Sequence, residues 1–111
     1  MEELKELPGP YEILDLRDGE SIDLRVERWE LGKMRIRVRR TGEEKEIIAL
    51  RVYVPPELKP TLPHYYDITA NTLRAGLLPY LEKPDFKRYI FRITKIGVAP
   101  TARFMLEVIP S

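Results

Sequence analysis

The chain of 111 residues contains no cysteine, which excludes disulfides, thiolate metal sites and cysteine nucleophiles. Its 43% hydrophobic content suits one globular domain, and no apolar run approaches the roughly 20 residues of a membrane helix. The net charge of +1 conceals a segregation: residues 1–20 hold seven acids against Lys5 and Arg17, while residues 21–111 hold 17 basic and 11 acidic groups.

Met1 is followed by Glu2, Glu3 and Lys5 with no apolar run, unlike a signal peptide, so the expected setting is soluble and cytoplasmic, without a membrane. Residues 1–17 read as an acidic N-terminal arm and 18–111 as the folded domain. The arm includes the breaker Pro8-Gly9-Pro10 and is expected to stay outside the core. High charge, loop prolines and missing cysteine match a thermophile's composition. Asp18-Gly19 is a turn signal. Over 21–31, Ile22, Leu24 and Val26 alternate with polar residues, and the apolar phase then slips to Trp29 and Leu31. The slip predicts one long, bent strand with a bulge near Glu27–Arg28. Gly32-Lys33 reads as a turn, and 34–40 as a second strand with Met34, Ile36 and Val38 on one face. After the tight connection Thr41–Glu44, a third strand is expected over 45–54, with Ile48, Leu50, Val52 and Val54 on one face.

Residues 55–66 hold Pro55, Pro56, Pro60 and Pro63 and read as an extended surface loop. A helix follows, capped by Thr69 or Asn71, with Leu73, Leu77 and Leu81 at four-residue spacing. Pro79 should kink or split it near Leu77–Leu78. Residues 89–96 and 102–109 are two more strands, joined as a hairpin through Gly97-Val98-Ala99-Pro100.

The predicted fold class is therefore mostly β, in the order β-β-β-α-β-β with one helix between strands three and four. That is the order of a five-stranded antiparallel OB-fold barrel, and an SH3-like barrel is the rival. Over about residues 18–109 the chain resembles OB-fold single-stranded nucleic-acid-binding proteins. The segment FRITKIGVAPTARFMLEV is similar to the last hairpin of small archaeal and phage members. The resemblance implies a ligand lying across strands two and three, between the two flanking loops.

The residues themselves point the same way. Lys33, Arg35, Arg37 and Arg39 occupy alternate positions, so their side chains leave one face about 6.5–7 Å apart, near the spacing of successive phosphates. Arg40 extends this row. Four like charges in register repel unless an anion sits among them, although cations can also guard an edge strand against aggregation. Arg51 and Tyr53, opposite the apolar row of the third strand, are expected beside the arginines, where Tyr53 would stack a base. Trp29 is either a stacking platform or a core plug. Arg25, Arg92 and Arg103 widen the basic path, and Lys95 sits at the last turn. Tyr65 and Tyr66 either stack bases or pack the proline-rich loop onto the barrel.

His64 is the only histidine, no hydroxyl lies in a nucleophile motif, and no glycine-rich loop cradles phosphate. No enzyme activity, metal or cofactor is expected. The predicted function is largely sequence-independent binding of single-stranded DNA, with RNA as a variant. The alternative is an OB-type protein-interaction subunit whose arginines meet an acidic protein surface. The acidic arm could be solvated, fold over the basic strand, or serve a protein partner or homo-oligomer.

Overall fold

The computed structural model describes residues 4–98 and 100–111. Met1, Glu2, Glu3 and Ala99, which enter the readings of the leader, the arm and the last turn, lie outside them. Six strands and one α-helix form: β1 (Ser21–Leu24), β2 (Arg28–Arg37), β3 (Glu44–Tyr53), β4 (Tyr65–Ile68), α1 (Asn71–Leu81), β5 (Tyr89–Ile96) and β6 (Arg103–Pro110). They make two three-stranded sheets, ordered β1-β5-β6 and β2-β3-β4, with antiparallel neighbours throughout. None of the described helices is long and apolar enough to cross a membrane.

The apolar phase slip is where the chain leaves one sheet for the other. Leu24 and Val26 enter the core from even positions, Trp29 and Leu31 from odd ones, and the three residues between β1 and β2 carry the bend. Followed through hydrogen-bonded neighbours, the path runs β6-β5-β1, around this bend, then β2-β3-β4. Among the described residues no ladder joins β4 to β6, so the observed architecture is two sheets and a helix rather than a closed five-stranded barrel. The core lies between the sheets, built from Leu24, Val26, Leu50, Val52, Phe91 and Ile93 and capped by Leu73, Leu77 and Leu81 of α1. Ala70 occupies the N-cap position without a side-chain bond, so neither Thr69 nor Asn71 caps the helix. The helix also runs through Pro79 unbroken. Pro79 lies in the last turn, where one donor is lost while Leu77 and Leu81 remain anchored in the core.

Three further expectations are corrected. Gly32-Lys33 is not a turn: β2 pairs without interruption from Arg28 opposite Tyr53 to Arg37 opposite Glu44. β4 was hidden in the predicted loop, since four residues with no clean alternation give almost no strand signal. The N-terminal arm is not outside the core. It straps the second sheet along both edges, Lys33 N donating to Lys5 O at 2.9 Å and Leu7 N to Lys33 O at 2.8 Å. Further on, Asp67 N donates to Glu12 O at 2.7 Å and Leu14 N to Asp67 O at 3.0 Å. Leu14 and Leu16 join the main core, while Leu7 makes a small second one with Met34 and Ala49 on the outer face of the sheet.

The strap explains the glycine in mid-strand. A Cβ on Gly32 would stand 2.7 Å from both Leu7 Cγ and Lys5 O, a backbone atom that cannot swing aside. Gly32→Ala should therefore lower stability by about 1–3 kcal/mol. The check is urea unfolding: an unchanged midpoint would mean that the strap does not press on β2.

Candidate nucleic-acid interface

The β2–β3 register decides which face each cation takes. Lys33, Arg35 and Arg37 do leave one face of β2, as alternation demands. Because pairing continues through Gly32, that face is shared with Trp29 and Leu31, which pack on the core, and with Ile48, Glu46 and Glu44 across the ladder. The cationic row is thus the continuation of the core-facing side, beyond the end of the core. Arg51 and Tyr53 lie on the opposite face, aligned with Glu30 and Arg28. The expected row of arginines beside Tyr53 does not form.

Carboxylates stand among the cations. Arg35 lies 3.4 Å from Glu6, 3.8 Å from Glu46 and 3.9 Å from Glu44; Arg37 lies 3.8 Å from Glu44, and Lys33 4.0 Å from Glu46. These glutamates from β3 and the strap relieve the like-charge repulsion expected along Lys33, Arg35 and Arg37. The pairs are long and open to water, with Lys33, Arg35 and Arg37 side chains 34%, 56% and 72% exposed. Such pairs contribute about 0–1 kcal/mol each. Arg39 and Arg40 follow in the exposed turn that reverses the chain by hydrogen bonds between Val38 and both Gly42 and Glu43. Neither has a carboxylate within 4.0 Å among the described residues.

Arg51 is an internal strut. It is 1% exposed and holds the fully buried Asp67, with Nε 2.7 Å from Oδ1 and Nη2 3.2 Å from Oδ2. Its Nη1 donates to Pro8 O at 2.8 Å, and the Tyr65 ring lies 4.0 Å from the guanidinium carbon. Burial, the largest single influence, lowers its pKa, but the hydrogen bond and charge of Asp67 together with Tyr65 and Tyr53 outweigh it and hold the group above its ordinary value. Tyr53 is half-buried, with the Arg28 guanidinium 4.0 Å over its ring and the Tyr65 ring at 5.4 Å edge-on. Trp29 is half-buried against the core and donates from Nε1 to Leu81 O at 3.0 Å, so of its two readings the core plug is the one observed. Tyr65 donates to Pro10 O and Tyr66 packs on the core, so both tyrosines hold structure down.

The remaining predicted cations are dispersed. Arg92 donates twice to Asp23, at 2.8 and 3.1 Å, across β1 and β5. Lys95 lies 3.8 Å from Asp15. Arg25 lines an open groove of ≈ 630 Å³ together with Asp23, Glu27 and Glu57. Arg103 is exposed at the start of β6. His64, on which a serine triad would depend, contacts Lys59 O through Nδ1 at 2.8 Å. Lys59 is itself buried, donating to Pro63 O at 2.6 Å and to Thr61 O at 3.1 Å, so this corner pins the proline-rich loop. Among the described residues no three metal-ligating side chains cluster. Sequence reasoning missed Glu6, Glu44 and Glu46 as counter-charges. For the β3 pair the signal was available: a tight turn at 38–43 places 44 and 46 opposite 37 and 35.

Two measurements probe these placements. Asp67→Asn would leave Arg51 buried without its countercharge and should cost about 3–5 kcal/mol, read from urea unfolding. A loss within experimental error would show that water reaches Arg51. Second, the hydrogen bonds from Arg92 hold the Asp23 carboxyl below its ordinary value of 3.8. A depressed folded pKa adds stability above the unfolded value, and this is lost as pH falls through the folded one. Arg92→Met should bring Asp23 up toward 3.8 in a carboxyl NMR titration; an unmoved midpoint would assign the shift to another cause.

No protein-family model, characterised protein or solved structure matches this chain.

Proposed function

We propose that the protein binds nucleic acid through the phosphates, using the free end of the β2–β3 hairpin. The carrying observation is the alignment of Lys33, Arg35 and Arg37 on one exposed face, leading to Arg39 and Arg40, which have no acidic neighbour within 4.0 Å among the described residues. Exposed pairs of this length exchange readily with a phosphate, because each costs little to break and Arg gains a bidentate partner. The bent β1–β2 segment shared by two sheets, with the helix between β4 and β5, supports the OB-type reading of the fold.

Single-stranded DNA is the ligand that the resemblance implies, with RNA as the variant. The stacking component loses support, since Trp29 is engaged in the core and the Tyr53 ring is covered by Arg28. Binding by phosphates alone would be weak, independent of sequence and sensitive to salt. A protein-interaction role would have been favoured by an exposed row at Ile47 and Ala49. Ala49 is instead buried beneath the strap, and Ile47 packs beside it.

The test is fluorescence anisotropy of labelled oligonucleotides of about 16 nucleotides, single-stranded and duplex, between about 50 and 200 mM salt. The log–log slope should be about −0.7 per phosphate neutralised on a single strand. Replacing Arg39 and Arg40 by Ala should weaken binding to every sequence alike and flatten the slope by about 1.4. Replacing Glu44 and Glu46 by Gln should tighten binding by removing the competing carboxylates. Variants that bind as wild type does, with the same salt slope, would defeat this assignment.

A further inference from the structure

β6 ends its sheet, and the phase of its hydrogen bonds shows what that edge presents. Lys95 N donates to Glu20 O at 3.0 Å and Lys95 O accepts from Gly19 N at 2.7 Å, so the backbone groups of Lys95 turn away from β6. Bonding toward β6 then falls to the even residues of β5 and their odd partners on β6, such as Thr94 opposite Met105. Ser111 N donating to Arg88 O at 2.8 Å continues that phase. The N–H and C=O groups of Phe104, Leu106 and Val108 therefore point out of the sheet's far edge. No strand or isolated bridge meets them among the described residues.

The side chains show the same incompleteness. Phe91 and Ile93 on β5 are fully buried, while Val108 and Leu106 opposite them, and Phe104 beyond, pack on the core from the same side but stay only partly buried. A slot of ≈ 170 Å³ lined by Leu14, Ile68, Leu73 and Phe104 lies beside this edge, and β4 does not pair with it. On the outer face Met105 is 55% exposed, flanked two residues away on either side by exposed Arg103 and Glu107. Neither Arg103 nor Glu107 has an ion-pair partner within 4.0 Å among the described residues; Glu107 stands opposite Arg92 of β5, whose guanidinium is held by Asp23.

We propose that β6 is a self-association edge, pairing antiparallel with β6 of a second copy about a two-fold axis at Met105. The sequence of the strand is its own complement in that register. Arg103 falls opposite Glu107 of the second copy, and the same pair forms again by symmetry. Met105 meets its equivalent, and Phe104 exchanges backbone hydrogen bonds with Leu106 on both sides of the axis. Because Met105 bonds toward β5, the pair at the axis is non-hydrogen-bonded, the closer type, with Cα atoms about 4.5 Å apart. The partly buried Phe104 and Leu106 rows would cover each other's remaining exposed surface on the inner side. The contact is isologous and closes on itself, giving a dimer with a six-stranded sheet rather than a fibre. The inference is independent of the nucleic-acid reading, whose cations lie on β2 and its turn.

Sedimentation equilibrium across micromolar to millimolar concentration tests it. Wild type should move toward twice the 13.1 kDa chain mass. Glu107→Arg and Arg103→Glu should each raise the dissociation constant about tenfold by placing like charges opposite one another at two symmetric positions. The double variant carrying both should return to wild-type association. The chain has no thiol of its own, so Met105→Cys adds a single reporter. Mild oxidation with a disulfide reagent should link two copies, whereas Thr72→Cys on the exposed face of α1 should not link. Circular dichroism confirms folding of each variant, and the cysteine test stands even if a charge variant fails to fold. A wild type that stays monomeric throughout, charge variants that associate as wild type does, or a double variant that fails to restore association would each overturn the proposal.

Discussion

Arg51 sets the terms for the second sheet. A guanidinium removed from water needs acceptors for its donors, and these come from two other segments of chain: both oxygens of Asp67 on β4 and the carbonyl of Pro8 on the strap. Its pairing fastens β4 to β3 and draws the N-terminal segment over the outer face. Once the strap lies there, the outer face must be apolar beneath it, and Leu7, Met34 and Ala49 supply a second small core. Close approach of the strap then forbids a side chain at position 32.

The same constraint moves the charges. With the outer face taken up by the strap, by Arg51 and by the Arg28–Tyr53 stack, the other exposed cations of β2, Lys33, Arg35 and Arg37, sit on the other side, past the end of the core. There β3 answers them with Glu44 and Glu46, and the strap with Glu6. The result is a mixed, weakly bound set of charges near the hairpin turn, whose outermost arginines are the freest. The opposite sheet has a different character. Its outer face carries the Asp23–Arg92 pair, and its last strand leaves backbone groups and half-covered apolar side chains at an edge.

What was legible in the sequence is what depends on near neighbours. The alternation in 45–54, 89–96 and 102–109 placed β3, β5 and β6 to within one residue, and the four-residue spacing of Leu73, Leu77 and Leu81 placed the buried face of α1. The phase slip between Val26 and Trp29 located the bend, although not the change of sheet that it accompanies. The main misreadings of the second sheet involve distant contacts. Gly32 looks like a turn because the reason for a glycine there is Leu7, twenty-five residues earlier. β4 is too short to announce itself and is defined by its pairing with β3. Alternation could say that Arg51 and Tyr53 share a face, but not that the arm covers it, and misjudging the continuity of β2 put the arginines on that face as well.

The strap also imposes an order of events. Residues 5–7 and 12–14 leave the ribosome before any of the chain they bind, and Asp67, which holds the second of these segments, is made more than fifty residues later. Leu7 and Leu14 must therefore wait, solvated, until the second sheet exists to receive them. Their closure joins ends far apart in sequence, at an entropic cost that grows only slowly with loop length but delays assembly. In a nascent chain, β2 and β3 would meet first across their short turn, and the acidic segment would be the clasp that locks them.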